Sequence, residues 1–545
     1  MTDRLRRKVG IYAVVLACAV AAALGGGAAH AVGFANVPCS GSGGGGAGLV
    51  AAVASANAAG GVINLASGCT YSITSGTTVP GLGTTGLPVI TTAITINGNG
   101  ATIAGSSSNF RIITIDGSAG GSLRVNGLTV TGGNVSGGGP AGFGGGILNL
   151  GGTLVLNNST VTGNQASGAG GGIASATMGP GPGATLILNN SRVTSNTVPS
   201  SGMGGGGILS VAGVLTLNNS TVSDNTASGG GGIAAGNGNG GGPGSVTTIN
   251  NGVISGNSAT GGEETGGGGI SNGGTLLMNN TRLTDNDADG GTGGGLLNHA
   301  TATLNNVALT GNKAAIGAGI GNINLQGVPI PGVTSPTPTL TMNNGSVTGN
   351  TAAVSGGGIA NISPFGAALG SVTLRNTQVN GNTPNNCIPV GSISGCSDTV
   401  HVFTASLSGA NETPANGSAG TGNTVVTWDT ATSQMTVNVT FSGLTGTTTA
   451  SHIHCCAAPP ANAPVATQVP SFTGFPSGVT SGSYSHTFDM TDPTSYNPAF
   501  LAANGGSTAA AAAALLTGIE NGTAYLNIHT TAYPGGEIRG VLQEL

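Results

Sequence analysis

Apolar residues occupy every second position over short stretches of residues 120–385, and pairs of asparagine separate these stretches. In one unit Leu154 and Leu156 alternate with other residues, Asn157 opens the asparagine pair, and Val161 begins the next alternation. A glycine run and one aliphatic residue follow before the unit repeats. Because successive side chains of a strand point to opposite faces, this period indicates strands with one buried face. Repetition at this length indicates stacked structural units.

Three aliphatic positions recur in every unit, which predicts three short strands per coil. The first column is Leu156, Leu188, Leu217, Ile249, Met278, Leu304 and Met342; the second is Val161, Val193, Val222, Ile254, Leu283, Leu309 and Val347; the third is Ile147, Ile173, Ile208, Ile233, Ile270, Leu296, Ile320 and Ile359. No amphipathic helical segment separates the units, which argues against alternating strands and helices. The pattern therefore predicts an all-β fold, a parallel β-helix of about ten to twelve coils with glycines at its corners.

One asparagine closes each unit, and these residues are expected to stack as hydrogen-bonded ladders. They are Asn134, Asn164, Asn196, Asn225, Asn257, Asn286, Asn312, Asn350 and Asn382. The alanine-rich segment Ala47–Ala59 predicts a short helix that covers the open edge of the first coil.

The sequence Asn225-Thr226-Ala227, followed by Gly230 to Ile233, resembles two groups of proteins. It is similar to right-handed β-helix repeat proteins of bacteria and to the repeats of polymorphic outer-membrane proteins, which are surface adhesins. Val or Leu stands here where the latter repeats carry Phe, and Gly usually replaces their Ala. The resemblance implies a right-handed β-helix and, by analogy, an adhesin-like role.

The N-terminus predicts export. Basic residues precede the apolar run Val9–Leu24, and Ala29-His30-Ala31 fits a small-x-small cleavage site. These features predict a signal peptide over residues 1–31 that is cleaved after Ala31. An uncleaved membrane anchor is the alternative, and no later segment is apolar for long enough to span a bilayer.

Six cysteines remain after that cleavage, and they fall into local pairs. The pairs are Cys39 with Cys69, Cys387 with Cys396, and Cys455 with Cys456. An even number in local pairs predicts disulfides and an oxidising, extracellular compartment. The adjacent pair Cys455 and Cys456 could bond to each other or to other partners.

Composition divides the mature chain into a β-helix over residues 32–396 and a second domain over residues 397–545. The first part contains five aromatic residues and the second contains eleven, including the only tryptophan, Trp428. Charged residues make up 5% of the chain, and no cluster of Lys or Arg follows the signal peptide. Nucleic acid is therefore an unsuitable partner for either part.

The second domain predicts seven antiparallel strands and one helix, Thr508–Leu516. It resembles the chordin-type (CHRD) domain over nearly its whole length. The resemblance depends on Leu407–Pro414, Phe441–Thr445, Ala450–His454, Ala524–Thr530 and Pro534–Gly540. It implies an antiparallel β-sandwich or barrel in an extracellular protein, and it implies location more than activity.

His452 and His454 are two residues apart on a predicted strand and therefore share a face. Together with His529, they could supply three imidazoles to a Zn or Cu ion, with Cys455 or Cys456 nearby. The alternative is that these histidines are buried, hydrogen-bonded and structural. Arg539, the only cation of this domain, is expected to pair with Glu412 or Glu537.

The rod offers weaker candidate chemistry. Asp285, Asp287 and Asp289 have the first half of a calcium-loop spacing, but Leu296 stands at the twelfth position, where a bidentate acid belongs. A polar turn is the alternative interpretation. A polysaccharide lyase or hydrolase would need acids and cations clustered on one face, and here both are sparse.

The function predicted from sequence is a secreted or cell-surface, adhesin-like interaction protein: a rod that carries a CHRD module. Its partner would be an extracellular glycan or protein that the sequence does not identify. The alternatives are a polysaccharide-cleaving enzyme on the rod and a metal-binding module at the three histidines.

Overall fold

A computed structural model describes residues 33–41, 43–106, 109–177, 183–199, 202, 204–236, 244–261, 266–326, 336–364, 366–396 and 399–544. The predicted signal peptide and its cleavage after Ala31 lie outside these residues. The fold is all-β, and the prediction of a parallel β-helix followed by an antiparallel domain is confirmed.

Parallel strands stack coil upon coil in the rod. A 21-stranded sheet comprises Gly33–Val37, Gly61–Leu65, Thr70–Ile73, Ala93–Gly105, Ser122–Thr131, Thr153–Asn157, Thr160–Thr162, Thr185–Asn189, Arg192–Thr194, Val214–Asn218, Thr221–Ser223, Val246–Asn250, Val253–Ser255, Thr275–Asn279, Arg282–Thr284, Thr301–Asn305, Ala308–Thr310, Thr339–Asn343, Ser346–Thr348, Ser371–Arg375 and Gln378–Asn380. A ten-stranded sheet comprises Ile113–Asp116, Ile147–Leu150, Ile173–Ala176, Ile208–Val211, Ile233–Gly236, Ile270–Asn272, Leu296–Asn298, Ile320–Ile323, Ile359–Ile362 and Cys387–Ile388.

Shorter strands complete the coils. They are Asn134–Val135, Gln165–Ala166, Thr226–Ala227, Ser258–Ala259, Asp287–Thr292, Lys313–Ile316 and Thr351–Ser355, and a hairpin joins Thr77–Val79 to Gly83–Thr85. The 3-10 turns of the rod are Gly117–Ala119 and Gly139–Gly142. A repeated coil therefore contains one strand of the ten-stranded sheet, two strands of the larger sheet and, in most coils, one of these shorter strands.

The strand register confirms the three aliphatic columns. Leu156 pairs with Leu188, Val161 with Val193 and Ile147 with Ile173, each in the next coil. All these side chains are fully buried. The interior of the rod is thus a continuous aliphatic core in which each coil covers the apolar residues of its neighbour.

Asparagine ladders run along the rod, as the repeat predicts. In the inner ladder, Nδ2 of each asparagine from Asn164 to Asn350 lies 2.8–3.0 Å from Oδ1 of the next one, up to Asn382. The assignment of Asn134 to this ladder is wrong. Asn134 pairs with Gln165, one position later in the unit, and it is exposed.

The asparagine pairs between strands also have a physical explanation. The first member, such as Asn157, donates from Nδ2 to Oδ1 of Asn126 in the neighbouring coil at 2.7 Å. The second member, Asn158, has φ +49°, and the equivalent asparagines of later coils also have positive φ. Asparagine adopts this left-handed region more readily than other residues with a side chain, which suits it to the corner.

Both ends of the rod carry further structure. The predicted first helix spans Gly46–Ala56 and buries Leu49 and Val53 in the rod core. One disulfide joins Cys39 to Cys69 near the first coil. A second joins Cys387, in the last strand of the ten-stranded sheet, to Cys396.

The C-terminal part is one curled antiparallel sheet. In spatial order its strands are Thr448–His454, Tyr525–Thr530, Ile538–Val541, Val400–Ser408, Thr421–Asp429, Gln434–Ser442 and Gly482–Asp489, and Gln543–Glu544 pairs with Val400–Ser408. Its helices are Pro498–Ala503 and Thr508–Glu520, and its 3-10 turns are Gly409–Asn411 and Pro493–Ser495. The seven predicted strands and the predicted helix are present; Pro498–Ala503 and Gln543–Glu544 are additional.

Candidate metal centre

The strand pair Thr448–His454 and Tyr525–Thr530 brings three histidines to one face of the sheet. His454 pairs with Tyr525, and His529 pairs with Ala450. Because alternate residues share a face, His452, His454 and His529 point to the same side. Ile453, which lies between the first two histidines, is fully buried in the core.

A backbone carbonyl fixes each imidazole. Nε2 of His452 lies 2.7 Å from the carbonyl oxygen of Pro470, and Nδ1 of His454 lies 2.8 Å from that of Ala463. Nδ1 of His529 lies 2.8 Å from the carbonyl oxygen of Pro534. A carbonyl only accepts, so the bonded ring nitrogen carries the proton and the other nitrogen of each neutral ring has a free lone pair.

The nitrogens left with lone pairs are Nδ1 of His452, Nε2 of His454 and Nε2 of His529. All three are buried and lack a hydrogen-bond partner among the described residues. One ring nitrogen of each histidine lies within 4.8 Å of those of the other two. Zn–N bonds of about 2.0–2.1 Å place tetrahedral ligands roughly 3.4 Å apart, so a bound ion would require nitrogens up to 4.8 Å apart to approach by up to about 1.4 Å.

Burial keeps these histidines neutral at physiological pH. Desolvation lowers the pKa of His452 and His529, and it lowers the pKa of His454 to about 4. The positive charges of the neighbouring histidines, when protonated, and of Arg539 contribute to this lowering of the pKa of His454. Since only the unprotonated nitrogen binds a metal, the site needs no deprotonation near neutral pH.

The same strands form a module that is found in other proteins. A family model of the CHRD domain matches residues 403–542. This part of the chain is a CHRD domain. The match includes all three histidines and confirms the resemblance that the sequence motifs indicated. No curated protein and no solved structure matches the chain significantly.

Tyr525 and Arg539 support the face of the CHRD domain that carries His452, His454 and His529, the histidine face. The Tyr525 ring stacks on the imidazole of His454, with centroids 4.8 Å apart and planes 6° from parallel. The guanidinium carbon of Arg539 lies 4.5 Å from the centroid of the Tyr525 ring, within the range of a cation–π contact. Tyr525 therefore holds His454 from one side and is itself held by Arg539.

The expected pairing of Arg539 with Glu412 or Glu537 is wrong. The guanidinium donates to four neutral acceptors: the carbonyl oxygens of Asn411 and Pro460, Oδ1 of Asn462 and Oγ1 of Thr413. Glu537 instead accepts from the backbone of Thr445 and Gly446 and from the hydroxyls of Ser418 and Thr530. Neutral partners satisfy Arg539 and Glu537 separately, and the charge of Arg539 acts on Glu412 by lowering its pKa, without a salt bridge between the described groups.

Cys455 and Cys456 bond to each other and do not join the histidine cluster. Their sulfur atoms lie against Gly518 of the helix Thr508–Glu520, where a Cβ atom would collide with both. The expectation that a cysteine could ligate the ion beside the histidines therefore has no support in the described geometry. Their bond adds a third disulfide to the chain.

The candidate calcium site on the rod has less structural support than the histidine cluster. Among the described residues, Asp285, Asp287 and Asp289 do not form a cluster that could hold a metal. Asp287 pairs in register with Lys313 of the next coil. Burial and the charge of Asp289 raise the pKa of Asp287, and the charge of Lys313 lowers it.

Within the described ranges, no helix is long and apolar enough to cross a membrane.

Sequence reasoning found the three histidines but not the groups that orient them. The carbonyls of Ala463, Pro470 and Pro534 belong to loops, and a backbone carbonyl has no residue signature. The His-x-His spacing was the sequence signal for two of the candidate ligands. His529 could be added as the third only because a second strand was predicted around it.

Proposed function

We propose that the CHRD domain is a transition-metal-binding module of an extracellular protein, and that His452, His454 and His529 hold a Zn or Cu ion. The single observation that carries this proposal is a cluster of three histidines: each has one buried ring nitrogen with a lone pair and no described partner, and their ring nitrogens approach within 4.8 Å of one another. Imidazole nitrogen is a preferred ligand of both metals.

The energetics favour an ion over an empty site. A buried polar atom without a partner costs about 1–3 kcal/mol. With three such atoms at one place, the free-energy costs add up there, and one ion would satisfy all three atoms. The carbonyl bonds to the other ring nitrogens match the arrangement that orients histidine ligands in metalloproteins.

We propose that the β-helix acts as a rod that presents this module outside the cell. The disulfides and the CHRD domain support an extracellular setting. An adhesin-like function fits the rod architecture, and a binding screen against extracellular glycans and matrix proteins would test it.

The metal proposal is tested on the purified full-length chain after dialysis against a chelator. Isothermal titration with Zn(II) and with Cu(II), followed by elemental analysis, should give one bound ion per chain. The ion should also raise the unfolding temperature, because a ligand that binds only the folded state at 100 times its Kd adds about 2.7 kcal/mol of stability.

Two variants sharpen the experiment. His452→Ala should abolish stoichiometric binding of the ion. His486→Ala is the matched control, since His486 lies on the strand Gly482–Asp489 outside the histidine cluster and should bind normally. Absence of stoichiometric metal in the parent protein, or equal binding by His452→Ala, would refute the proposal.

A further inference from the structure

Asn527 is a fourth polar residue on the histidine face of the CHRD domain. It lies between Tyr525 and His529 on the strand Tyr525–Thr530, and it pairs directly with His452 across the sheet. Cross-strand neighbours of this kind have Cβ atoms about 4.5–5.5 Å apart. Asn527 is 2% exposed, so its carboxamide is enclosed by protein.

The two ends of this carboxamide have different environments. Nδ2 donates to Oε1 of Glu412 at 3.0 Å, and Glu412 is itself buried. Oδ1 is buried and has no hydrogen-bond partner among the described residues. An ionised carboxylate only accepts hydrogen bonds, so Glu412 in that form sets the orientation in which Nδ2 faces it and Oδ1 faces away.

Gly536 lies directly against this carboxamide. A Cβ atom on Gly536 would lie 2.5 Å from Nδ2 and 3.0 Å from Oδ1, so the backbone of Gly536 packs directly on the amide. Gly536 has φ +132°, a conformation that side-chain-bearing residues rarely adopt. The loop that covers Asn527 also supplies the Pro534 carbonyl that fixes His529.

The face therefore presents four buried acceptor atoms without described partners: three imidazole nitrogens and one amide oxygen. We infer that Oδ1 of Asn527 is the fourth ligand of the metal, which completes an N3O site for a divalent ion such as Zn(II). This inference rests on the proposed function. Closed Zn sites are almost always four-coordinate and tetrahedral, which three histidines alone do not provide.

Glu412 is the acidic group next to the four proposed ligand atoms. The four ligands are neutral, and burying an uncompensated dication is costly. Glu412 lies one hydrogen bond behind the amide, and a nearby cation favours its ionised form. In that form it would polarise the Asn527 carbonyl toward the ion and offset part of the ion's charge. Outer carboxylates that orient and polarise metal ligands in this way commonly change metal affinity by about 10–100-fold.

The test measures Zn(II) affinity of the full-length chain by competition with a chromophoric chelator, and coordination by the visible spectrum of the Co(II) form. Asn527→Ala should weaken Zn(II) binding by at least roughly tenfold and should lower the intense absorption of four-coordinate Co(II). Asn438→Ala, on the strand Gln434–Ser442, is the matched control and should change neither.

A second variant separates ligation from folding. The double variant Asn527→Asp, Glu412→Gln keeps the net charge and an oxygen at the ligand position. It also keeps the hydrogen bond, but position 412 now donates and position 527 accepts. This double variant should bind Zn(II) within about threefold of the parent and retain the four-coordinate Co(II) spectrum.

The outcomes distinguish this inference from the proposed function. If the parent protein binds no metal, the proposed function fails. If the parent binds but Asn527→Ala matches it in affinity and spectrum, Asn527 is not a ligand and the three-histidine site stands. Loss of binding in the double variant, with unfolding temperature unchanged, would also overturn the ligand role.

Discussion

Asn257→Ala in the inner asparagine ladder should destabilise the rod strongly. Asn257 is fully buried. Its Nδ2 donates to the carbonyl of Val222 and to Oδ1 of Asn286, and its Oδ1 accepts from the backbone and side-chain nitrogens of Asn225. Alanine removes these four hydrogen bonds and leaves their partners buried.

The expected magnitude follows from that count. Each intramolecular hydrogen bond contributes about 1 kcal/mol net, and a partner left buried without a bond costs more. Four bonds therefore predict a loss of about 4 kcal/mol in the free energy of unfolding, at the upper end for a single substitution. Asn279→Ala is the matched control: its side chain makes two half-exposed ladder bonds, which water can replace, so we expect about 1 kcal/mol.

Urea unfolding followed by far-ultraviolet circular dichroism would measure the rod. Trp428, the only tryptophan of the chain, is buried in the CHRD domain, so its fluorescence reports that domain separately. The rod transition should move in Asn257→Ala while the fluorescence transition stays in place. A rod destabilised no more by Asn257→Ala than by Asn279→Ala would refute the reasoning that buried ladder bonds dominate.

Two further predictions concern the CHRD domain. Burial raises the pKa of Glu412 from 4.5 to about 7, so the folded metal-free protein binds a proton more tightly than the unfolded chain does, and its stability should fall as pH rises from about 4.5 to 7. Glu412→Gln should reduce this dependence of stability on pH, measured by urea titrations of chelator-treated protein at several pH values. An unchanged dependence would contradict the assignment. Gly518→Ala should lower the unfolding temperature, with a loss of about 1–3 kcal/mol, because its Cβ would collide with the sulfurs of Cys455 and Cys456; an unchanged transition by calorimetry would show that the helix can shift to accept it.

The rod could be predicted nearly residue by residue because strand alternation is strict. A side chain such as Leu156 faces inward only if its neighbours face outward, so period two fixes the columns. The same strictness explains the failure at Asn134. There the unit reads Gly132-Gly133-Asn134, with one glycine more than Gly163-Asn164 in the next unit. The extra glycine moves Asn134 one position later in its coil, and composition alone did not reveal this shift in register.

The candidate site was only partly predictable. The spacing of His452 and His454 specifies a shared face, but the partners of their rings come from distant loops. The charge pairing expected for Arg539 failed for a related reason: carbonyls and amides satisfied the guanidinium, and neutral acceptors are too common in a sequence to single out.

Clustering of unsatisfied buried atoms, rather than their number, distinguishes the histidine face of the CHRD domain from the described rod. Along the described rod such atoms are scattered hydroxyls, such as those of Ser210 and Ser355, and a single amide oxygen, that of Asn149. A hydroxyl can rotate toward a weak acceptor, so each of these is a small local cost. On the histidine face, three histidines have ring nitrogens within 4.8 Å of one another, and Asn527 pairs with one of these histidines across the sheet. Their four unpartnered atoms are all acceptors, and no rotation can pair acceptors with one another. A bound cation would satisfy such acceptors, so the function that we propose lies in the CHRD domain, with the rod as its support.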